Sequence, residues 1–171
     1  MRRFSRFAVL LVTLTGLAAS AAAAKYQNIV ITRFETAKGV SFPADYQKAL
    51  TDSLVAQFIE SKMFTKVAGP GEVGVYPPGS TLRLTGVVTQ FDPGSQAGRQ
   101  VAGIFGVGKA SVTAHIKLRD AATGQVKLET DVKGVYQGTI SFTGDKAWGG
   151  KPINGARALA KEIVKVAKEK L

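Results

Sequence analysis

The sequence predicts an α+β domain, a two-layer sandwich in which two helices cover one face of a mixed, mostly antiparallel sheet of four to five strands. Two amphipathic stretches with helical periodicity lie near the start and at the end of the domain, with strand-like stretches between them. Residues 110–136 alternate apolar and polar side chains on both arms of a hairpin. Because each helix has only one apolar surface to bury, one sheet face satisfies both helices and the other face stays in water.

The segment before the domain, residues 1–24, has the order of a secretory signal peptide. Three arginines precede an apolar run over 7–17, and alanines at 22–24 give an A-x-A cleavage site before Lys25. The apolar run is shorter than the roughly 20 residues that span a bilayer. We therefore expect a periplasmic protein with a single α+β envelope domain over 25–171. Since Lys25 stands where a lipoprotein carries its cysteine, we expect no lipid anchor and no membrane helix in the mature chain.

The first half of the domain predicts a strand over 27–34, a helix over 45–63, a short strand over 64–67 and a longer strand over 81–91. Glycines and prolines between the last two strands predict a turn-rich loop. The apolar stripe of the helix comprises Tyr46, Leu50, Leu54, Val55, Phe58 and Ile59.

The second half predicts a glycine-rich segment over 96–108, a hairpin of strands 110–119 and 126–136, and a last helix that begins at Pro152 or Asn154. Asp92 and Asp120 are typical turn formers. The apolar phase shifts near Gly134, which predicts a β-bulge there. The apolar stripe of the last helix comprises Ala156, Leu159, Ala160, Ile163, Val164, Ala167 and Leu171.

The amino-acid composition limits the kinds of chemistry that the chain can carry out. The chain has no cysteine, which excludes disulfides, thiol chemistry and cysteine metal sites. Its formal charge is +11, and removal of the signal peptide, with three arginines and no acid, lowers it to +8. In an exported protein this charge favours lipid headgroups, acidic glycans or acidic proteins over nucleic acid. A solvated basic surface without a specific ligand is the simpler explanation.

No enzyme motif occurs in this sequence together with the structural context that the motif requires. Residues 103–109 match G-x-x-x-x-G-K, but Ala110 replaces the Ser or Thr that binds magnesium, and a strand follows where the phosphate loop needs a helix. His115 is the only histidine, lacks the companions of a metal or nucleophile site and is expected to be exposed to solvent. We therefore predict no cofactor, no metal and no enzymatic activity.

A carboxylate pair keeps one catalytic alternative open. Glu129 and Asp131 share a strand face, as a hydrolase pair does, but Lys127 and Lys133 share it too. The alternation of charges favours a solvated face over a catalytic pair. A secreted hydrolase is therefore the last of the three functions considered.

The candidate binding residues are a basic patch around the hairpin and one aromatic residue. The patch comprises Arg99, Lys109, Lys117 and Arg119, and the aromatic residue is Trp148 in a later glycine-rich loop. Arg99 suits a carboxylate or phosphate because its planar fork binds two oxygens, and an ion pair with Asp92 or Asp120 is the equally weighted alternative. Trp148 either forms an exposed anchor or folds over the edge of the core.

A set of glycines and turn residues carries a resemblance to a known family. It comprises Pro93, Gly94, Ser95, Ala97, Arg99, Gly103, Phe105, Gly106, Gly108, Lys109, Ala110, Asp120, Thr123 and Gly124, with Phe34, Pro43, Tyr46, Phe64 and Val67 before them. Over most of residues 27–170 the chain resembles the domain of unknown function 4410 family of exported bacterial envelope proteins, many of them lipoproteins. The family is similar in architecture to the curli-secretion pore lipoprotein and to the N-terminal domain of the Tol-system propeller protein. The resemblance implies a sheet with two helices on one face and a role in protein contacts.

These observations predict a non-catalytic envelope interaction or assembly module. Its partner is an envelope protein, bound by strand addition to a sheet edge, and a homo-oligomer is compatible with the same edge. The expected working surface is the open sheet face together with residues 92–109. The alternative is a binder of anionic lipid headgroups or acidic glycan through a basic face.

Overall fold

The computed structural model of the chain describes residues 26–72, 76–94, 110–136 and 153–171. In chain order the elements are β1 (Asn28–Ile31), β2 (Glu35–Thr36), α1 (Ala44–Ser61), β3 (Lys66–Ala68), a 3-10 turn (Pro78–Ser80), β4 (Thr81–Asp92), β5 (Ala110–Asp120), β6 (Val126–Tyr136) and α2 (Ile153–Lys170). Within this part of the chain, neither helix is long and apolar enough to cross a membrane.

The strands form one mixed sheet in the order β3-β1-β4-β5-β6, with β2 also paired to β4. The β1–β3, β1–β4 and β2–β4 pairs are parallel, and the long ladders β4–β5 and β5–β6 are antiparallel. The sheet has six strands, not four to five. The additional strand is β2, a two-residue continuation along the edge of β4 after β1 ends.

The two helices pack against each other and against the same face of the sheet, which confirms the predicted two-layer α+β fold. Leu50, Leu54 and Phe58 of α1 are completely buried, and so are Leu159 and Ile163 of α2. The buried residues of β4 and β5 alternate, as expected for strands with one covered face, whereas all four residues of β1 are buried. Their core-facing side chains include Leu82, Leu84, Val88, Val112, Ala114, Ile116 and Leu118.

Two residues of the predicted helical stripes are exposed. Ile59 retains 58% of its accessible surface because it lies on the solvent side of the last turn of α1. Leu171 retains 46% because it follows the last residue of α2. The helical stripes are therefore narrower than the sequence predicts.

Gly134 is not at a bulge, and this part of the prediction is wrong. The register runs without interruption through Val112–Gly134 and Ser111–Val135, and the irregularities lie between Leu118 and Arg119 and in β4 between Val88 and Gln90. Gly134 lies directly under α2, where an added Cβ would be 2.1 Å from the backbone nitrogen of Leu159. The glycine is thus required by the close approach of the helix to β6.

Candidate interaction surface

The face of the sheet that points away from the helices is polar. We call it the open face and define it by the side chains that alternate with the core-facing ones on β4, β5 and β6. They are Arg83, Thr85, Val87, Thr113, His115, Lys117, Arg119, Glu129, Asp131 and Lys133. All of them are half-buried or exposed. No described helix packs on this face, as the sequence predicted.

Four residues at the centre of the open face form a network, here called the charged cluster. His115 Nδ1 lies 2.8 Å from Asp131 Oδ1, and His115 Nε2 lies 3.0 Å from Glu129 Oε1. Lys117 Nζ donates to the same Glu129 oxygen at 2.8 Å. Both ring nitrogens of the histidine therefore have carboxylate partners, which the protonated imidazolium satisfies as a double donor.

The electrostatics of the cluster follow from these contacts. Hydrogen bonds to Asp131 and then to Glu129 raise the pKa of His115 above its usual value. Hydrogen bonds from Lys117 and then from His115 lower the pKa of Glu129. Each shift favours the charged form of its group, so the cluster is held together as alternating charges across the β5–β6 ladder.

This arrangement differs from that of a carboxylate pair prepared for hydrolysis. Glu129 and Asp131 share one histidine between them, and Glu129 also binds Lys117. The cluster lies on the open face and lines no part of the cleft described below. Among the described residues, no group of three or more His, Asp or Glu side chains is arranged to hold a metal ion.

Only two residues of the predicted basic patch, Lys117 and Arg119, lie in the described part of the chain. Lys117 and Arg119 lie on the open face as neighbours on β5, with Lys117 engaged by Glu129. Arg99, Lys109 and Trp148 lie outside the described residues, so their predicted roles stay predictions. Ala110 begins β5, and a strand therefore follows the G-x-x-x-x-G-K stretch, as the sequence predicted.

Sequence reasoning missed the partners of His115 because it looked for acids along β5 only. In the hairpin His115 is opposite Asp131, and Lys117 is opposite Glu129. The turn was a signal for the hairpin but did not fix which residues lie opposite each other. Asp120 Oδ1 accepts hydrogen bonds from the amides of Ala122 and Thr123, as a turn-forming aspartate does. Counting back from the Arg119–Val126 pair would set His115 opposite Thr130, and the irregularity between Leu118 and Arg119 shifts its partner by one residue to Asp131.

The edge of the sheet beside the open face is the second feature of this surface. β6 has 11 residues and pairs with β5 on one side, and no described strand pairs with its other side. Val126 and Val135 are 40% and 41% exposed on this strand. A long edge strand presents unpaired backbone N–H and C=O groups, which are a template for pairing with another chain.

A cleft of about 520 Å³ lies at the far end of β4, away from the charged cluster. It is lined by residues 39–41, Pro43, residues 89–91 and Pro93. Beside it the rings of Phe42, Tyr46 and Phe91 meet edge to face, with centroids 5.2–6.0 Å apart. The aromatic contacts fix the start of α1 against the end of β4. None of the described residues that line the cleft is charged.

Comparison with known protein families decides what the chain is related to. The model of the domain of unknown function family DUF4410 matches residues 20–137. The chain belongs to the DUF4410 family. This confirms the resemblance drawn from the glycines and turn residues, and the matched region contains β1 to β6 and α1. A comparison with curated proteins finds no match.

Solved structures similar to this DUF4410 chain share its fold at low sequence identity. A Xanthomonas campestris protein of the DUF330 family has a TM-score of 0.55 at 16% identity, covering 84% of this chain and 87% of its own. The PelC dodecamer from Paraburkholderia phytofirmans has a TM-score of 0.53 at 11% identity, covering 82% and 87%. Protein CT253 from Chlamydia trachomatis has a TM-score of 0.53 at 9% identity, covering 84% and 97%.

Proposed function

We propose that this chain is a non-catalytic assembly module of the bacterial envelope, which binds a partner by strand addition at the free edge of β6. The observation that carries the proposal is the length of that edge. Eleven residues of β6 have a paired neighbour only on the β5 side within the described sheet. A strand added there gains a ladder of main-chain hydrogen bonds, and the alternating side chains supply specificity.

The adjoining open face supports the same proposal. It presents cations and anions in alternation, which gives a partner electrostatic complementarity and register without requiring a deep pocket. The exposed Val126 and Val135 offer apolar contact at both ends of β6. The carboxylates of Glu129 and Asp131 are occupied by His115 and Lys117, so this face provides recognition more readily than hydrolysis.

The comparison with PelC adds an example of assembly on the same fold. That solved structure is of a dodecamer, and its likeness to this chain extends over most of both chains. At 11% identity the likeness supports the fold alone. The partner strand therefore comes either from a second copy of this chain or from a different envelope protein. The crosslinking experiment distinguishes these two cases.

The experiment is photo-crosslinking in living cells. A photo-reactive amino acid replaces Lys133 on β6 or, as the control, Lys161 on the solvent side of α2. We expect a discrete adduct from position 133 and none from position 161, with mass spectrometry identifying a second copy or another envelope protein. Equal yields from both positions, or no adduct from position 133 in correctly folded protein, contradict the proposal.

A pair of variants tests whether the edge itself makes the contact. V126K/V135K places lysines on the edge strand, where charge opposes pairing with another strand. I59K makes the same kind of change at an exposed apolar side chain on α1. The adduct through position 133 should disappear in V126K/V135K and persist in I59K. Its persistence in both variants would place the contact away from the β6 edge.

A further inference from the structure

The open face holds two arginines directly opposite each other. The register of the β4–β5 ladder pairs Arg83 with Arg119, and both side chains are exposed. Directly opposed residues of an antiparallel ladder have their Cα atoms about 4.5–5.5 Å apart. Two like charges at this separation destabilise the pair of strands unless an anion lies between them.

Elsewhere on the open face, opposite charges of neighbouring side chains neutralise each other. One step along β5, Lys117 binds Glu129, and His115 binds both Glu129 and Asp131. Among the described residues, no acidic side chain forms an ion pair with Arg83 or Arg119. Of the twelve acidic residues in the sequence, only Asp145 lies outside the described part of the chain. The chain thus leaves one row of this face neutralised and the next row positive.

The arginines stand on a rigid part of the sheet. Asp120, the residue after Arg119, accepts two turn amides through Oδ1 and the Tyr26 hydroxyl through Oδ2 at 2.8 Å. The amide of Ala121 donates to the carbonyl of Thr81 at 2.9 Å, which fixes the turn against β4. The backbones that carry both guanidinium groups are therefore held in place before any ligand arrives.

A third cation lies at the same end of the hairpin. Arg119 is opposite Val126 across the β5–β6 ladder, and Lys127 is the next residue of β6. The Lys127 ammonium donates to Gln125 Oε1 at 2.7 Å, which leaves its charge without a counter-ion in this contact. The positive charge of the arginine row thus continues onto β6.

We propose that Arg83 and Arg119 form a binding site for a phosphate group on the open face of the sheet. Two guanidinium forks neutralise the one negative charge of a phosphodiester or the two of a free phosphate, and they bind phosphate oxygens in a bidentate manner, which a single surface lysine does not do. The site goes beyond strand addition at β6, since it uses β4 and β5 and a different chemistry. The phosphate belongs either to a free ion or to a lipid headgroup, and the experiment separates these sources.

The first arm measures the thermal midpoint of the full secreted chain in pyrophosphate and in sodium chloride at equal ionic strength. We expect pyrophosphate to raise the midpoint of the wild type, because a ligand that binds only the folded state stabilises it. The rise should be absent in R83Q/R119Q. It should be kept in K161Q/K168Q, which removes two exposed charges from α2. In titration calorimetry each arginine replacement should weaken pyrophosphate binding about tenfold, as expected for a charge-assisted contact.

The second arm uses phosphatidylcholine vesicles with and without phosphatidylglycerol. Binding that needs phosphatidylglycerol and the arginine pair, without a pyrophosphate effect, identifies a lipid headgroup as the source. A pyrophosphate effect without vesicle binding identifies a free ion. Absence of both effects in the wild type, or equal losses in R83Q/R119Q and K161Q/K168Q, overturns the site.

Stability in chloride alone distinguishes a ligand site from a structural pair. Relief of repulsion should leave the midpoint of R83Q/R119Q equal to or above that of the wild type. A clearly lower midpoint in the double variant would show that the arginines have partners within the folded chain, and would also overturn the proposal.

Discussion

His115 joins two carboxylates in a hydrogen-bonded cluster, and its neighbours in the sequence do not predict this role. The residues on either side of it along the same face of β5 are Thr113 and Lys117. Its partners, Asp131 and Glu129, come from the adjacent strand. The side chain was expected to be free in solvent, and it is instead held by hydrogen bonds at both ring nitrogens.

This contact makes the stability of the protein depend on pH with a defined sign. The pKa of His115 is raised above 6.5 in the folded chain, chiefly by the hydrogen bond to Asp131. Its stabilisation is therefore complete below about pH 6.5 and is lost as the pH rises through the folded-state value. The pKa of Glu129 is lowered from 4.5, chiefly by Lys117, so its stabilisation is complete above about pH 4.5 and is lost as the pH falls through the folded-state value.

The variant H115Q should therefore differ most from the wild type between about pH 5 and pH 6. We expect the urea midpoint of H115Q to be lower than that of the wild type in this range and the difference to shrink toward pH 9. Lys165, which lies 3.9 Å from Glu162 on α2, supplies the control K165Q, whose difference should not follow this profile. A difference for H115Q that is the same at both ends of the range would contradict the account of the cluster.

At the scale of elements, the contact between α2 and β6 depends on a glycine. The backbone of the helix at Leu159 passes so close to Gly134 that any Cβ there would overlap it. Such a contact brings the fully buried side chains of Leu159 and Ile163 into the core beside β5 and β6. A glycine in this position lowers the β-propensity of the strand, but it allows the helix to pack closely against it.

The substitution G134A should lower the free energy of unfolding by at least about 2 kcal/mol, because the helix has to move or the strand has to bend. The matched control is G71A, where an added Cβ meets no atom within 4 Å. Its effect on the free energy of unfolding should be below about 1 kcal/mol. Urea denaturation of both variants measures this, and near-equal midpoints would show that α2 does not rest on β6.

Element types were predictable from local pattern, and long-range geometry was not. Alternation over 110–136 predicted both hairpin strands, whose bounds in the structure differ from the prediction by one residue at Asp120. The four-residue repeat of Leu50, Leu54 and Phe58 predicted α1. The sequence suggested a bulge at Gly134 because the helix that excludes a side chain there is distant along the chain. β2 was missed because two residues carry no periodicity.

In the candidate site, too, the residues that follow from local pattern were predicted, and the residue that depends on long-range geometry was not. Lys117 and Arg119 were predicted from their polar position on β5, and both lie on the open face. Arg83 was not predicted as a binding residue, because its relation to Arg119 depends on the register between β4 and β5. That register depends on which faces of the two strands pack into the core, which short-range patterns do not encode.

At the scale of the whole molecule, the described residues form a two-layer body in which both helices lie on one side of the sheet. The buried side chains of α1 and α2 meet one face of the sheet, and the charged cluster and the arginine pair lie on the other. We propose two surfaces for partners on this body, the open face and the edge of β6. The proposed phosphate contact and the proposed strand contact then lie side by side and use different atoms.

The most direct measurement is amide hydrogen exchange along β6, compared between the free chain and the assembly captured in cells. In an antiparallel strand every second amide points away from its neighbour, so the outward amides of residues 126–136 have no strand partner among the described residues. Strand addition predicts that these alternate amides exchange quickly in the free chain and slowly in the assembly. Alternate amides that exchange equally quickly in both states, while the partner remains bound, would contradict the account.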